Sequence, residues 1–191
     1  MTGTDALIEH RGPAAAADAL HRLVSVVEAA TEEQGVAFLS SDVDMDGGKL
    51  ILTAGAPSVT GDDEERMLLA VRRILDADLP LPVRIGVNRG SVFAGDIGPA
   101  YRRTYTVMGD AVNLAARVMA KAVPGSIYAT ADVLDRSNTL FATTALGAIG
   151  TGVGSSTMPS TFSEPRYFLT SGSREFFFAP ACEMTYRRSL T

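Results

Sequence analysis

Residues 82–121 of this 191-residue chain read PVRIGVNRGSVFAGDIGPAYRRTYTVMGDAVNLAARVMAK. The first half of the stretch predicts a strand over Leu81–Val87, a tight turn at Asn88-Arg89-Gly90 and a returning strand over Ser91–Ile97. The second half predicts a helix that begins at Asp110 or Ala111 and runs to about Lys121. A hairpin followed by a helix is typical of domains that mix α and β structure.

The flanking sequence adds further helices and strands. Apolar residues at helical spacing predict a helix over Pro13–Gln34, and the acidic run at residues 61–65 opens a second helix. The remaining predicted elements are a hairpin of strands Val36–Val43 and Lys49–Ala56, a strand over Ser126–Thr130 and a short helix over Ala131–Ser137. This order predicts an α+β fold, a mostly antiparallel sheet with helices on one face.

Composition restricts the class of protein. The net charge of −5 and the sequence pI of about 5.0 argue against a nucleic-acid partner, because phosphate binding needs a basic surface. The single cysteine, Cys182, can form no internal disulfide, which suits a reducing compartment. No apolar run is long enough to cross a bilayer, and the polar N-terminus does not read as a signal peptide. We therefore expect a cytoplasmic protein without a membrane partner.

The chain divides into an N-terminal extension over residues 1–12, a domain over residues 13–147 and a tail over residues 148–191. Residues 150–157 are small and polar, as linkers are, and the tail then contains the aromatic run Phe176-Phe177-Phe178. We expect the tail to be weakly ordered. The alternative is that the aromatic run forms a strand that adds to the sheet or covers a neighbour.

The helix after residue 110 carries the chemistry of greatest interest. Asn113 and Arg117 are four residues apart, so they share one face of that helix. An amide can orient a sugar ring, and a guanidinium can neutralise charge that builds up on a reacting phosphate. The pair therefore suits a nucleoside polyphosphate, although a surface Asn and Arg also occur together on ordinary helices.

Two segments carry a family resemblance, R-I-G-V-x-x-G-x-V-x-A-G-x-I-G over residues 84–98 and Y-T-V-M-G-D-A-V-N-L-A-A-R over residues 105–117. They resemble the class III adenylate and guanylate cyclase catalytic domain, in particular the second catalytic half of soluble, bicarbonate-responsive-type adenylyl cyclases. The resemblance covers roughly residues 10–140. It implies a ferredoxin-like core and the conversion of ATP to cyclic AMP and pyrophosphate in intracellular signalling. It also implies that Asn113 and Arg117 are catalytic and that the substrate-binding residues are Thr106, which would read adenine, and Gly95, Gly98 and Gly109.

The resemblance fails at the metal ligands. Members of this family hold two metal ions with two aspartates, one on a first strand with an F-x-D-I context and one in the following hairpin turn. This chain begins at about the family's first helix, so the first strand is expected to be missing, and the second aspartate position falls at about Gly48. The nearest lysine to the family's purine-contacting position is Lys49, which is out of register. We expect no metal ligand here, with Mg²⁺ or Mn²⁺ supplied through a partner half.

Three functional interpretations remain open from the sequence. The chain could complete an ATP site with an aspartate-bearing cyclase half or with a second copy of itself, act as an inactive nucleotide-binding or regulatory module, or be a non-functional fragment. The run Asp42-x-Asp44-x-Asp46-Gly47 also resembles the start of a calcium loop. That loop needs a glutamate at its twelfth position, where this chain has Thr53, so a solvated acidic hairpin turn is favoured.

Overall fold

The computed structural model of the chain describes residues 3–44, 47–148, 166–171 and 176–178. Four helices and nine strands occur in these ranges. The helices are α1 (Thr4–Gln34), α2 (Asp63–Asp76), α3 (Asp110–Lys121) and α4 (Ala131–Leu134). The strands are β1 (Ala37–Asp44), β2 (Gly47–Thr53), β3 (Ile85–Val87), β4 (Phe93–Ile97), β5 (Thr104–Met108), β6 (Ser126–Thr130), β7 (Thr144–Ala148), β8 (Arg166–Ser171) and β9 (Phe176–Phe178).

Seven of these strands form one sheet in the order β1-β2-β9-β3-β6-β8-β7, and β4 and β5 form a separate two-stranded sheet. The pairs β1–β2, β6–β8, β7–β8 and β4–β5 are antiparallel, whereas β2–β9, β3–β9 and β3–β6 are parallel. The antiparallel pairings are the longer ones, so the predicted α+β class with a mostly antiparallel sheet is confirmed.

Helices cover both faces of the large sheet. Ile85 and Val87 of β3 join a core cluster with side chains of α1 and α2, such as Val27 and Val71. Gly86, between them, faces α3 instead, because a Cβ built there would lie 2.4 Å from the Met119 backbone nitrogen. The expectation of helices on one face is therefore wrong for α3. Sequence periodicity shows which face of a helix is apolar, but it does not show which face of the sheet that helix meets.

The predicted hairpin of Leu81–Val87 with Ser91–Ile97 is also wrong. The first strand is confined to β3, which pairs in parallel with β6 rather than with β4. β4 pairs with β5, a strand that the sequence prediction lacked. The short turn between β4 and β5 explains this choice, because Gly98 takes a φ of 119° there and packs against the Arg102 carbonyl. A tight local turn brings adjacent strands together at little cost in loop entropy.

The first helix breaks near its start. Gly12 has non-helical φ and ψ angles of 83° and 166°, and Pro13 follows it, so residues 4–11 precede a kink. The break falls between residues 12 and 13 within one helix, and the division of the chain into an extension and a domain stays a prediction. At the other end Gly35 adopts a left-handed conformation that caps α1. The guanidinium of Arg66 in α2 donates to the carbonyls of Gln34 and Gly35, which ties the two helices together.

The described part of the tail belongs to the sheet. β8 pairs with both β6 and β7, and β9 lies between β2 and β3. The aromatic run thus forms a strand that adds to the sheet, as the alternative expectation stated. The predicted boundary at residues 147 and 148 falls within β7. The polar run at residues 150–157, Cys182 and Asp46 lie outside the described residues.

None of the helices in the described ranges is long and apolar enough to cross a membrane.

Candidate functional site

Helix α3 separates a buried face from a polar one. Ala111, Ala115 and Val118 recur at helical spacing and are buried against the sheet. Asn113 and Arg117 occupy the other face, where Asn113 is exposed and Arg117 is half-buried. The helix begins at Asp110, whose carboxylate complements the helix dipole, and it ends at Lys121. The predicted helix and the predicted shared face are both confirmed.

The two polar side chains of α3 are neighbours. Nε of Arg117 donates a hydrogen bond to the backbone carbonyl of Asn113 at 3.3 Å. Within the described part of the chain no carboxylate forms an ion pair with Arg117. This bond uses Nε, and the two terminal amino groups of the guanidinium donate no hydrogen bond to the described residues. A guanidinium held in this way can donate two parallel hydrogen bonds to phosphate oxygens.

A glycine makes the junction between β5 and α3. Gly109 has a φ of 148°, which favours glycine, and its carbonyl accepts hydrogen bonds from the backbone N–H groups of Val112 and Asn113. A Cβ at this position would lie 3.3 Å from the carbonyl oxygen of Ser91. The short junction couples the strand that carries Thr106 to the helix that carries Asn113. A role of Gly109 in binding substrate stays a prediction.

Thr106 lies in the middle of the β4–β5 hairpin. It is the cross-strand partner of Gly95, so both residues lie on one face of the hairpin. Phe93, Ile97 and Met108 share that face by alternation, and they are 54%, 44% and 48% exposed. Val107, on the opposite face, is buried. We name the face formed by Phe93, Gly95, Ile97, Thr104, Thr106 and Met108 the hairpin face.

The two other predicted glycines have identifiable local surroundings. The atoms nearest to a Cβ at Gly95 would be those of the Phe93 ring, at 3.2 Å and beyond. A Cβ at Gly98 would lie 2.2 Å from the carbonyl oxygen of Arg102. The turn therefore requires glycine at position 98 for its own geometry, and contact of either glycine with substrate stays a prediction.

Lys49 lies on β2, away from the strand on which α3 packs, and it forms an ion pair there. Its Nζ lies 3.1 Å from the carboxylate of Asp42, its cross-strand partner in the β1–β2 hairpin, and both side chains are largely exposed. The flanks of Asp42 are strands, which agrees with the hairpin interpretation rather than with a calcium loop. β9 separates β2 from β3, the strand on which α3 packs.

The described residues do not fit a two-metal site. Gly48 occupies the hairpin position at which the family resemblance implies a carboxylate, and it pairs with Val43. The carboxylate of Asp42 is already paired with Lys49. Across residues 3–44, 47–148, 166–171 and 176–178 no group of three or more His, Cys, Asp or Glu side chains is placed to hold a metal ion.

Asn88 is a buried polar residue that the sequence reasoning missed. It is 3% exposed and directly follows β3, so its side chain lies between β3, α3 and β6. Its neighbour Arg89 points to the other side and pairs with Glu64 of α2. Alternation along R-I-G-V-N-R-G, with small or polar residues at every second position, is the signal that could have revealed it.

Comparison with known proteins places this geometry in a family. The family model for the adenylate and guanylate cyclase catalytic domain matches residues 17–160. This range contains α3, the hairpin face and most of the large sheet. The chain therefore belongs to the adenylate and guanylate cyclase catalytic domain family.

Relatives of known sequence extend well beyond the region that they share with this chain. The uncharacterized protein Rv1318c of Mycobacterium tuberculosis is 31% identical over 145 residues, which cover 72% of this chain and 26% of that protein. Among solved structures, a dimeric guanylyl cyclase domain of the RhoGC fusion protein from the fungus Blastocladiella emersonii matches with a TM-score of 0.67 at 19% identity, covering 91% of this chain and 92% of that chain. The adenylyl cyclase CyaB from P. aeruginosa matches with a TM-score of 0.62 at 21% identity, covering 91% of both chains. At such identities the structural likeness demonstrates a shared fold.

Proposed function

We propose that this chain is one half of an adenylate cyclase site, and that it converts ATP to cyclic AMP and pyrophosphate together with an aspartate-bearing partner half. The observation that carries the proposal is the placement of Asn113 and Arg117 side by side on the polar face of α3. The buried face of the same helix holds both side chains in a defined direction. Membership of the cyclase family supports the assignment of this face to a nucleotide.

Each residue has a distinct part in the proposed reaction. The ribose 3′ oxygen forms a bond to the α-phosphorus, the bond from that phosphorus to the pyrophosphate oxygen breaks, and the 3′-hydroxyl proton passes to solvent water as pyrophosphate leaves. Arg117 donates to the phosphate oxygens, where negative charge increases in the transition state. Asn113 orients the ribose through its amide. Thr106 presents a hydroxyl to the adenine edge, since a hydroxyl can both donate and accept.

The surroundings of Thr106 favour a site shared between two domains. Thr106 lies on the hairpin face among Phe93, Ile97 and Met108, which are large apolar side chains left about half exposed. Clustered exposed apolar residues mark interaction surfaces more often than free surface. A partner docked against the hairpin face would enclose the base, because Thr106 lies at its centre. An aspartate-bearing cyclase half fits this role, and a second copy of the chain is the alternative partner.

The metal ions belong to the partner in this proposal. Mg²⁺ or Mn²⁺ would supply charge neutralisation at the triphosphate, held by the aspartates of the partner half. The described residues of this chain offer Gly48 and the already paired Asp42 instead. In the proposed cytoplasmic signalling enzyme, this chain then contributes hydrogen-bond donors to the nucleotide, and the partner contributes the metal-binding carboxylates.

A complementation experiment tests the proposal. The partner is a cyclase domain that carries both metal-binding aspartates and has alanine in place of its own residues equivalent to Asn113 and Arg117. We expect neither protein alone to form cyclic AMP from ATP and Mn²⁺, and the mixture to form it. Replacing Arg117 by alanine should lower the turnover of the mixture by about 10²–10³, the usual effect of removing one charge-stabilising donor.

The matched control for Arg117→Ala is Arg136→Ala, which removes an exposed arginine after α4. It should leave turnover unchanged. Substantial cyclic AMP formation by the isolated chain, or full turnover with Arg117→Ala, would contradict the half-site assignment. Nucleotide binding by a mixture that shows no turnover would favour the inactive regulatory module instead.

A further inference from the structure

A buried amide connects strand β3 to the helix that carries Asn113 and Arg117. Nδ2 of Asn88 donates to the carbonyl oxygen of Ala111 at 2.9 Å, and its Oδ1 accepts from the Thr130 hydroxyl at 3.1 Å. Ala111 lies in the first turn of α3, and Thr130 is the last residue of β6. Asn88, Ala111 and Thr130 are all buried, so water competes little for either bond.

The same side of β3 holds α3 by close packing. A Cβ at Gly86 would lie 2.4 Å from the Met119 nitrogen and 2.5 Å from the Ala115 carbonyl oxygen. A Cβ at Gly90 would lie 2.7 Å from the Ala111 Cβ. Gly86, Asn88 and Gly90 therefore meet α3 at alternate positions along the chain, two of them by having no side chain.

Close packing and hydrogen bonding constrain different motions of α3. Glycine lets the helix approach the strand, but a smooth contact resists sliding and rotation only weakly. A hydrogen bond to one named carbonyl sets the rotation of the first turn about the helix axis. Asn113 lies two residues after Ala111, and Arg117 lies one turn beyond Asn113, so the bond also sets the direction of both side chains.

We propose that Asn88, supported by Thr130, is a positioning residue that sets the orientation of α3 and thereby aims Asn113 and Arg117 at the nucleotide. The proposal rests on the proposed function for its catalytic consequence, and its structural part stands apart from that function. Asn88 itself does not touch the substrate, because it is buried beneath the helix. A misplacement of about 1 Å at a reacting centre can cost about 10²-fold in rate.

Four variants separate positioning from general stability. Asn88→Ala removes both hydrogen bonds, and Thr130→Val removes the hydroxyl that holds the Asn88 carbonyl while keeping the shape of the side chain. Thr130→Ser keeps the hydroxyl and removes only the methyl group. Asn138→Ala is the matched control, since Asn138 is an exposed asparagine whose amide donates to Glu65.

The first readout is kcat in the complementation mixture, measured per folded molecule at a temperature at which circular dichroism shows each variant fully folded. We expect kcat to fall about 10- to 100-fold for Asn88→Ala and less for Thr130→Val, with the KM for ATP nearly unchanged. Thr130→Ser and Asn138→Ala should retain wild-type kcat. The double variant Asn88→Ala/Thr130→Val should lose no more than Asn88→Ala, because Thr130 acts through Asn88. An unchanged kcat for folded Asn88→Ala would overturn the proposal.

The second readout is amide hydrogen exchange in the isolated chain, and it needs no catalytic activity. Amides of residues 112–121 should exchange faster in Asn88→Ala and Thr130→Val, but not in Thr130→Ser or Asn138→Ala. If the wild-type mixture proves inactive, the proposed function fails and this readout still decides the role of Asn88. Unchanged protection of α3 in both Asn88→Ala and Thr130→Val would refute it, and Thr130→Val keeps the test valid if Asn88→Ala does not fold.

Discussion

Asn113 is exposed on the outer face of α3, whereas Asp63 is buried at the start of α2. The Asp63 carboxylate accepts hydrogen bonds from the Arg66 guanidinium at 2.6 Å and from the Thr60 hydroxyl at 2.9 Å. A carboxylate with such partners stabilises the local fold and has little capacity left for a ligand. The exposed amide of Asn113, beside a guanidinium, retains the capacity to bind a ligand. Burial and internal hydrogen bonds therefore mark Asp63 as structural, whereas exposure leaves Asn113 as a candidate catalytic residue.

Thr106 should determine base preference in the complementation mixture. Thr106→Val keeps the shape of the side chain and removes one hydrogen bond to adenine, which is worth about 1 kcal/mol. We expect the ratio of kcat/KM for ATP to that for GTP to fall about fivefold. Thr144→Val, which removes the hydroxyl of an exposed threonine at the start of β7, is the control and should leave the ratio unchanged. An unaltered ratio with Thr106→Val would place the adenine contact elsewhere.

Asp63 should make stability depend on pH. Burial opposes its ionisation, but hydrogen bonds from Arg66, Thr60 and Gly61 outweigh burial and lower its pKa below the ordinary value. A carboxylate with a lowered pKa stabilises the fold above its ordinary value, near pH 4, and that contribution is lost as the pH falls through the lower folded-state value. Asp63→Asn should therefore lower the free energy of unfolding by about 1–3 kcal/mol at pH 7.

Urea unfolding at pH 7 and at about pH 3 measures this effect. The difference between wild type and Asp63→Asn should shrink at the lower pH, because the stabilisation that the ionised carboxyl contributes decreases once the pH is below the ordinary pKa of an aspartate. Asp76→Asn is the control: it removes a carboxylate that forms an exposed ion pair with Arg72, and such pairs contribute at most about 1 kcal/mol. A difference for Asp63→Asn that is equal at both pH values would argue against ionisation as the cause.

At the scale of elements, β9 holds an unusual position. This three-residue strand lies between β2 and β3, with Ile51 opposite Phe177 on one side and Ile85 opposite Phe176 on the other. Among the described residues, the β1–β2 hairpin joins the remainder of the large sheet through β9. A strand from near the C-terminus thus fills the gap between β2 and β3, two strands that come from much earlier in the chain.

Shortening the chain tests the importance of β9. A chain that ends at residue 171 lacks β9 and leaves two strand edges unpaired in the middle of the sheet, which costs backbone hydrogen bonds and invites aggregation. We expect it to unfold at lower urea concentration than the full chain, or to aggregate. A chain that ends at residue 178 retains β9 and is the control. Equal stability of the two shortened chains would show that β9 contributes nothing to the fold.

At the scale of the whole molecule, Gly109 joins β5, which carries part of the hairpin face, to α3, which carries Asn113 and Arg117 on its polar face. The large sheet buries its core between α1, α2 and the strands, while the hairpin face leaves Phe93, Ile97 and Met108 about half exposed. Exposed apolar side chains on the strands that lead directly into the helix of the candidate site suit association at that site.

We therefore expect the chain to associate with a second copy or with a partner half through the hairpin face. Sedimentation at micromolar concentration should show a dimer or larger species, with an interface of about 1,600 Å² in total. Phe93→Asp should shift the distribution toward monomer, because it buries a charge in the interface. Val59→Asp introduces the same charge at another exposed apolar residue and should not. A monodisperse wild-type monomer would contradict this expectation for self-association.

The sequence alone determined the local features. The helix over residues 110–121 and the shared face of Asn113 and Arg117 follow from helical spacing, which depends on neighbours within a few residues. The β1–β2 hairpin and the strand over Ser126–Thr130 follow from short-range alternation and turn residues in the same way. Two ordered motifs were sufficient to indicate the cyclase family, to which the chain belongs.

The tertiary structure decided which elements meet. The pairing of β4 with β5 rather than with β3, the position of α3 on the second face of the sheet and the insertion of β9 between β2 and β3 all join residues that are not identifiable as partners from local pattern. The burial of Asn88 beneath α3 belongs to the same class, because an asparagine after a strand reads as a turn residue until its partners Ala111 and Thr130 are known. Spacing along the chain constrains the direction of each side chain, whereas strand order and packing depend on the total burial and hydrogen bonding that the complete fold achieves.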